Sequence, residues 1–382
     1  MKEHKDCVFF LRKWDADGKE NTWSGTPNGI LTALKENTES ENLMVIDLDY
    51  GCADECTLKG MRGFLKILSI DGCDVLERHI ESKLANKKLS DIPSKGPIIV
   101  FAECQTKRIE DTYIFIDCSV DYAYRCQIQS DEFSKYVPFS QKRKYSLLSM
   151  RESNARQFYK RCKGIFTMGK WLADDLVDNT GISREKVHCV GGGANVPKEL
   201  INSSKKQGNK FLFVGKDFER KNGKLVLNAF SELRNQYGAQ FELYIAGPNV
   251  WPMKEEIPKG VHFLGLKSTT ELAEYFNICD VFVMPSKFEA YGIVFAEALI
   301  YGLPIIGRDA FAMRDFVQQG ENGFLLESNS VEELAKLMYD TITDSNMRNY
   351  VIANKEKYLE KYSWQAVVER MLNVMRDDGY KV

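Results

Sequence analysis

Short apolar runs alternate with helix-length segments along nearly the whole chain, and this alternation limits the possible folds more than any other feature. The C-terminal half shows it clearly. Apolar runs predict strands over 210–214, 241–246, 261–264, 281–284, 304–307 and 323–326. Stretches with helical spacing between them predict helices over 224–235, 270–277, 292–301 and 331–341. Turn formers stand at the joints: Gly215 after the first strand, Gly247 and Pro248 after the second, Pro285 after the fourth. Ser330 is placed to cap the helix that follows it. Thr269 or Thr270 is expected to cap the helix with Glu271 in its first turn. Strands separated by helices pair in parallel, through right-handed crossovers.

The N-terminal half alternates less cleanly. Strands are expected over 8–11, 43–47, 98–102, 113–116, 164–168 and 187–190, and helices over 28–35, 75–86, 145–160 and 170–178. The polar stretch 198–209 reads as a linker. The expected architecture is α/β, with two Rossmann-like doubly wound domains over 1–197 and 198–362 facing across a cleft. Such sheets bind ligands at their strand C-termini.

A length of 382 residues suits two cores better than one. A formal net charge of −2 argues against a general polyanion binder, so nucleic acid is not an expected partner. No run of roughly 18 apolar residues exists, so no spanning helix is expected. The polar start from Met1 to Asp6 does not read as a secretory leader. A cytoplasmic location follows as the expectation, with the ten cysteines as reduced core residues. Cys52 and Cys56 lie close together but lack a second pair or a histidine cluster, so no metal site is assigned.

The chemistry concentrates in residues 286–299. Glu289 follows a strand and a Pro285-Ser286 turn, and Gly292 then opens a helix. Amides at a helix start are unpaired and face the positive end of the dipole, which favours phosphate. Glu297 lies further along this helix among Ile293, Val294, Ile300 and Tyr301. A carboxylate on an apolar face is costly unless a ligand such as a ribose diol hydrogen-bonds to it. At 1.5 Å per residue, Glu289 and Glu297 are about 12 Å apart, the scale of a sugar and a ribose joined by a diphosphate.

This pattern closely resembles family 4 of the retaining glycosyltransferases, which have the GT-B fold. Two glutamates spaced like Glu289 and Glu297 follow Met284-Pro285-Ser286, and Gly302-Leu303-Pro304 comes after. The likeness extends upstream through residues 213–223, with Gly215, Lys216, Arg220 and Lys221, and downstream through Gly320 and Gly323. Gly191 to Asn195 is similar to that family's interdomain crossing, and Ser24-Gly25-Thr26-Pro27 to its glycine-bearing first loop. The resemblance implies an N-terminal acceptor domain and a C-terminal donor domain. It also implies that a closing helix within 363–382, beginning at Trp364, packs back on the N-terminal domain.

Carried over, the resemblance gives Lys221, with Lys216 or Arg220, the task of neutralising a leaving diphosphate. Glu289 would hold the donor sugar and Glu297 the ribose. Gly292 and Ile293 would supply amides, with Tyr291 beside them, and Gly25 and Thr26 would close on the phosphate. The implied reaction retains anomeric configuration. It moves a hexose-type sugar from a UDP- or GDP-sugar to a glycan, lipid-linked or small-molecule acceptor, with no cofactor and no metal. Many members also place a histidine near the donor sugar. Only His4, His79, His188 and His262 exist here, and Asp117 stands in the comparable region. Two alternatives are a non-catalytic nucleotide-sugar-binding subunit and a GT-B epimerase.

Other motifs carry less. Gly191 to Gly193 lacks the spacing of a dinucleotide loop and reads as a turn. The pairs Asp15/Asp17 and Asp47/Asp49 resemble a metal-binding Asp-x-Asp but arise readily by chance. Residues 141–163 are rich in Lys and Arg, with Tyr145, Leu147, Leu148, Phe158 and Tyr159 among them. That stretch is either an ordinary surface helix or a peripheral membrane contact.

Overall fold

In a computed structural model, the structure describes residues 6–15, 18–20, 22–39, 42–48, 73–90, 95–101, 104–129, 134–138, 145–202 and 208–382, with Cys56, Gly60 and Ile92 as isolated positions. Cys52, Asp17, Asp49, His4 and Lys142 to Lys144 lie outside them, as does the middle of the proposed linker, 203–207. The side chains of Tyr145, Leu147 and Leu148 lie outside them too.

The chain divides into two compact units, one of residues 1–192 and 364–382, the other of 193–363. The boundary comes before the polar linker. The backbone gives a reason: Ala194 N–H donates to the carbonyl of Tyr362 at 2.8 Å, which ties the crossing segment into the second unit.

The first unit runs β1 (Val8–Arg12), α1 (Thr26–Asn37), β2 (Leu43–Asp47), α2 (Cys73–Ser90), β3 (Ile98–Phe101), β4 (Thr112–Ile116), α3 (Val120–Gln129), α4 (Tyr145–Arg161), β5 (Gly164–Thr167), α5 (Lys170–Asp178) and β6 (Val187–Cys189). Its six strands form one sheet in the order β2-β1-β3-β4-β5-β6, with every pairing parallel. Strands β3, β4 and β5 are buried at every position, which is why they read as continuous apolar runs.

The second unit runs β7 (Lys210–Val214), α6 (Gly223–Tyr237), β8 (Glu242–Ala246), β9 (Val261–Gly265), α7 (Thr269–Ile278), β10 (Val281–Val283), α8 (Ile293–Ile300), β11 (Ile305–Arg308), α9 (Met313–Phe316), β12 (Gly323–Leu326), α10 (Val331–Thr343), α11 (Ser345–Ala353) and α12 (Lys355–Lys361). Its parallel sheet has the order β12-β11-β10-β7-β8-β9. The final helix, α13 (Trp364–Asp377), returns to the first unit and packs on α1.

Three local expectations are revised. Helix α7 is capped by Ser268, not by Thr269 or Thr270. Ser268 Oγ accepts from Glu271 N–H while the Glu271 carboxylate accepts from Ser268 N–H, and this reciprocal box requires the cap three residues before the glutamate. Helix α3 has no counterpart in the sequence reading, because its buried stripe of Val120, Asp121, Ala123 and Cys126 includes an aspartate. Two cysteines, Cys56 and Cys189, are exposed rather than in a core.

The α1–α13 contact depends on a close approach. A Cβ on Gly29 would stand 2.4 Å from the Trp364 indole. Alanine would gain up to about 1 kcal/mol of helix propensity over glycine. The steric cost of forcing a buried indole aside, about 1–3 kcal/mol, outweighs that gain. Gly29→Ala is therefore expected to lower unfolding free energy in denaturant melts, and a stabilised variant would contradict the packing.

Candidate functional site

In the second sheet, β7 leads to β8 and β9 on one side, and the chain then crosses back to β10 on the other. Neighbours β7 and β10 therefore form the point where strand order reverses, and a crevice opens there beyond the strand C-termini. The loop after β7 carries Arg220 and Lys221, and the turn after β10 carries Ser286 and Glu289. Lys287 N–H donates to the Arg220 carbonyl at 2.8 Å, which joins the two loops.

All four side chains meet at one carboxylate. Lys221 Nζ lies 2.5 Å from Glu289 Oε2, Ser286 Oγ donates to the same oxygen at 3.2 Å, and Arg220 Nη1 stands 3.5 Å away. Arg220 Nη1 also donates to the Phe288 carbonyl at 2.8 Å. Lys221 and Glu289 are both buried. Arg308, at the end of β11, is a member that the sequence reading omits. Its Nε donates to the Ser286 carbonyl at 3.0 Å and braces the turn. Its one sequence signal is a cation directly after an apolar run.

Two cations meet at the buried carboxylate, and Arg220 Nε also lies 3.5 Å from the exposed Asp217 carboxylate; the titration shifts follow from these charges. Burial pushes the Glu289 carboxyl up, but Lys221 and Arg220 together outweigh it and hold it below its ordinary value. Burial also lowers the Lys221 ammonium; Glu289 opposes this, and Arg220 adds to it. The cluster favours a further anion, because one more negative charge would relieve the crowding of the cations.

Helix α8 begins beside this cluster. Gly292 precedes it with φ 89°, a left-handed conformation that glycine adopts at little cost. A Cβ there would also press to 2.9 Å from Glu289 Cγ, so the glycine keeps the carboxylate in place. Ile293 is the first helical residue, and an amide at that position has no intrahelical acceptor; further into the turn, Phe295 N–H donates to the Gly292 carbonyl at 2.9 Å. One turn on, Glu297 Oε1 accepts from Asn195 N–H at 3.4 Å. Burial pushes its carboxyl up to about 7, and that one long hydrogen bond offsets little of the effect.

Residues 198–358 match the family described as glycosyl transferases group 1. The second unit belongs to that glycosyltransferase family. Among curated proteins, the chain is 24% identical to the uncharacterized glycosyltransferase MJ1607 of Methanocaldococcus jannaschii, over 57% of this chain and 60% of that protein. It is 31% identical to the sulfoquinovosyl transferase SQD2 of Arabidopsis thaliana, over 32% of this chain and 26% of that one. The chain thus spans well under two thirds of these relatives' own lengths. Among solved structures, it resembles WaaG, a glycosyltransferase involved in lipopolysaccharide biosynthesis, with TM-score 0.61 and 15% identity over 96% of this chain and 99% of that one. It also resembles the sucrose-phosphate synthase of Thermosynechococcus elongatus, with TM-score 0.62 and 14% identity over 98% and 99%. At these identities the likeness shows the fold, which is GT-B.

Within the glycosyltransferase domain, Lys216 is exposed and stands next to Gly215 at the end of β7. The Tyr291 ring is buried edge-on against Phe316, 5.0 Å between centroids, so its body is part of the core. Lys221, Arg220, Glu289, Gly292 and Ile293 come together. Glu297 lies one turn further along α8.

The other expected residues belong to the first unit. Gly25, with φ 78°, precedes α1, and Thr26 is its first residue; both are buried. Trp23 and Ser24 before them also have positive φ, 45° and 55°. Non-glycine residues in that region store strain, which tends to collect at functional loops. Trp23 Nε1 donates to Asp117 Oδ2 at 3.0 Å, so the Asp117 carboxylate is fixed by this loop.

Residues 149–163 are the part of the basic stretch whose side chains are described. Phe158 and Tyr159 are buried in the first unit's core, as is Arg151. Arg156 pairs with Asp121 and with Glu152, and Lys163 lies 3.5 Å from Asp378. Phe158 and Tyr159 of α4 thus face their own sheet, while Met150 on the same helix is exposed. Of the acidic pairs, Asp47 Oδ1 accepts from Trp14 Nε1 at 2.6 Å, an ordinary structural contact.

The raised Glu297 pKa has a signed consequence. An acid whose folded pKa is raised binds its proton more tightly when folded. Its contribution is best below the ordinary value of 4.5 and declines as pH rises to about 7. The loss above that pH is roughly 3 kcal/mol at most. Glu297→Gln is expected to stabilise the ligand-free protein at pH 8 and to match wild type near pH 4.5, in denaturant melts at both pH values. A difference independent of pH would contradict the assignment.

Proposed function

We propose that the protein is a retaining glycosyltransferase that moves a hexose-type sugar from a UDP- or GDP-sugar onto a glycan, lipid-linked or small-molecule acceptor. One observation carries this reading: Lys221 and Arg220 gathered around the buried Glu289 at the switch point of the second sheet, beside the amide-bearing start of α8. A diphosphate fits that charge and those amides.

In this reading the bond from the sugar's anomeric carbon to the diphosphate breaks, and its electron pair stays with the diphosphate. The acceptor oxygen forms a new bond to the same carbon on the same face. The acceptor's hydroxyl proton passes to the departing phosphate oxygen. Lys221 and Arg220, with Lys216 nearby, stabilise the charge that grows on the leaving group. Glu289 accepts from sugar hydroxyls, Glu297 from the ribose, and Gly292 and Ile293 donate backbone N–H groups. Gly25 and Thr26 are assigned a phosphate contact and Asp117 a sugar contact, on the family resemblance. Cations and amides meet the phosphate charge, so the reading requires no metal.

Mass spectrometry of reactions with a panel of nucleotide sugars tests it. Wild type is expected to turn over one donor, and Lys221→Ala and Glu289→Ala to lower the rate by on the order of 100-fold or more. Turnover that survives both substitutions would contradict the site. The same assay with a chelator tests the metal independence: the wild-type rate is expected to stay unchanged, and its loss with recovery on adding a divalent ion would contradict that part.

A further inference from the structure

The first sheet has its own switch point. From β1 the chain goes to β2 on one side and then crosses back to β3 on the other, so the crevice lies beyond the ends of β1 and β3. β1 ends on Arg12, and β3 ends on Phe101. The Arg12 guanidinium lies over the Phe101 ring, 5.6 Å from its centroid. The Phe101 ring in turn packs against Trp23, centroids 6.2 Å apart, whose indole N–H is bound to Asp117. Arg12 therefore stands in one chain of contacts with the strained loop before α1.

Among the described residues, Arg12 has no counter-ion. Its half-buried side chain makes no hydrogen bond or ion pair among the described residues, and its Nε is buried without an acceptor. Among the described residues, no acid pairs with Arg12. The Asp47 carboxylate, next to Arg12 in strand register, accepts from Trp14. Glu81 pairs with Arg78 at 2.5 Å. Burial lowers the Arg12 pKa, Asp15 and Glu81 oppose this, and Arg78 adds to it. A buried guanidinium nitrogen without an acceptor is costly, and such costs are retained where a ligand supplies the missing partner.

We propose that Arg12 binds an oxyanion carried by the acceptor, a phosphate or a carboxylate, in the crevice at the switch point of the first sheet. The planar fork of arginine matches two oxygens of either group. Its face is held by Phe101, which leaves its edge for the anion. The inference deepens the glycosyltransferase reading, on which the word acceptor rests; the anion site itself does not depend on it.

Calorimetric titration of the full chain tests the proposal. The protein is first saturated with whichever of UDP, GDP or ADP raises its melting temperature most, which occupies the phosphate site of the second unit. Glycerol phosphate, glucuronate and glucose are then titrated into wild type, Arg12→Met and Arg12→Lys. Wild type is expected to bind at least one of the two anions more tightly than glucose. Arg12→Met is expected to weaken that binding about tenfold or more and leave glucose unchanged, and Arg12→Lys to fall between. Equal anion affinity in wild type and Arg12→Met, or no anion preference in wild type, would overturn the proposal. If Arg12→Met melts early, Arg12→Lys decides by the same comparison. Cosedimentation with phosphatidylglycerol vesicles separates the sources. Arg12-dependent sedimentation places the anion on a lipid headgroup, and binding of the soluble anions alone places it on a soluble acceptor. No melting shift with any nucleotide would count against the donor reading, and the anion titrations would still judge Arg12.

Discussion

The buried contact between Lys221 and Glu289 is the interaction on which the second unit's chemistry depends. Two full charges inside a protein lose much of their hydration, and a pair is maintained only by close geometry and further hydrogen bonds. Here the carboxylate has three partners, two of them cations. The second cation, Arg220, reaches past the buried pair to the exposed Asp217 at 3.5 Å, a contact that solvent weakens and that a phosphate can replace. The glycine at 292 and the arginine at 308 serve the same end. One leaves room for the Glu289 side chain, and the other fixes the turn that carries it.

Sheet order explains how residues so far apart meet. Lys221 and Glu289 are 68 positions apart in sequence. They come together because β7 and β10 are neighbours at the reversal of strand order. The first sheet has the same kind of reversal between β1 and β3, and there Arg12 lies over Phe101 with no counter-ion among the described residues. Each unit thus places cations at the position where its strand order reverses. In one the cations surround a carboxylate at a helix start, and in the other a single guanidinium lies on an aromatic face.

Most of this architecture was legible in the sequence, for a definite reason. Parallel strands buried on both faces read as apolar runs, so all twelve strand positions could be anticipated to within a residue or two. Helix α3 was hidden because Asp121, on its buried side, interrupts the apolar period while pairing with Arg125 and Arg156. The cap of α7 was placed too late because Thr269 and Thr270 both look suitable; only the three-residue step from Ser268 to Glu271 selects the serine. In the site, Glu289, Lys221 and Gly292 stood out as a motif. Arg308 and Arg12 did not, since a cation after an apolar run is common, and only strand order and contacts give it a role. In the basic stretch before β5, the fold turns Phe158 and Tyr159 inward, a direction that the charge pattern around them does not reveal.

The central claim is that the Lys221–Arg220–Glu289 cluster receives the diphosphate of a nucleotide. The most direct measurement is calorimetric binding of UDP, GDP and ADP to wild type and to Lys221→Met and Arg220→Met, at low and high salt. The account predicts one salt-sensitive site for at least one nucleotide, weakened about tenfold or more by either substitution. Nucleotide affinity that neither substitution changes, or no binding of any diphosphate to the wild-type protein, would contradict it.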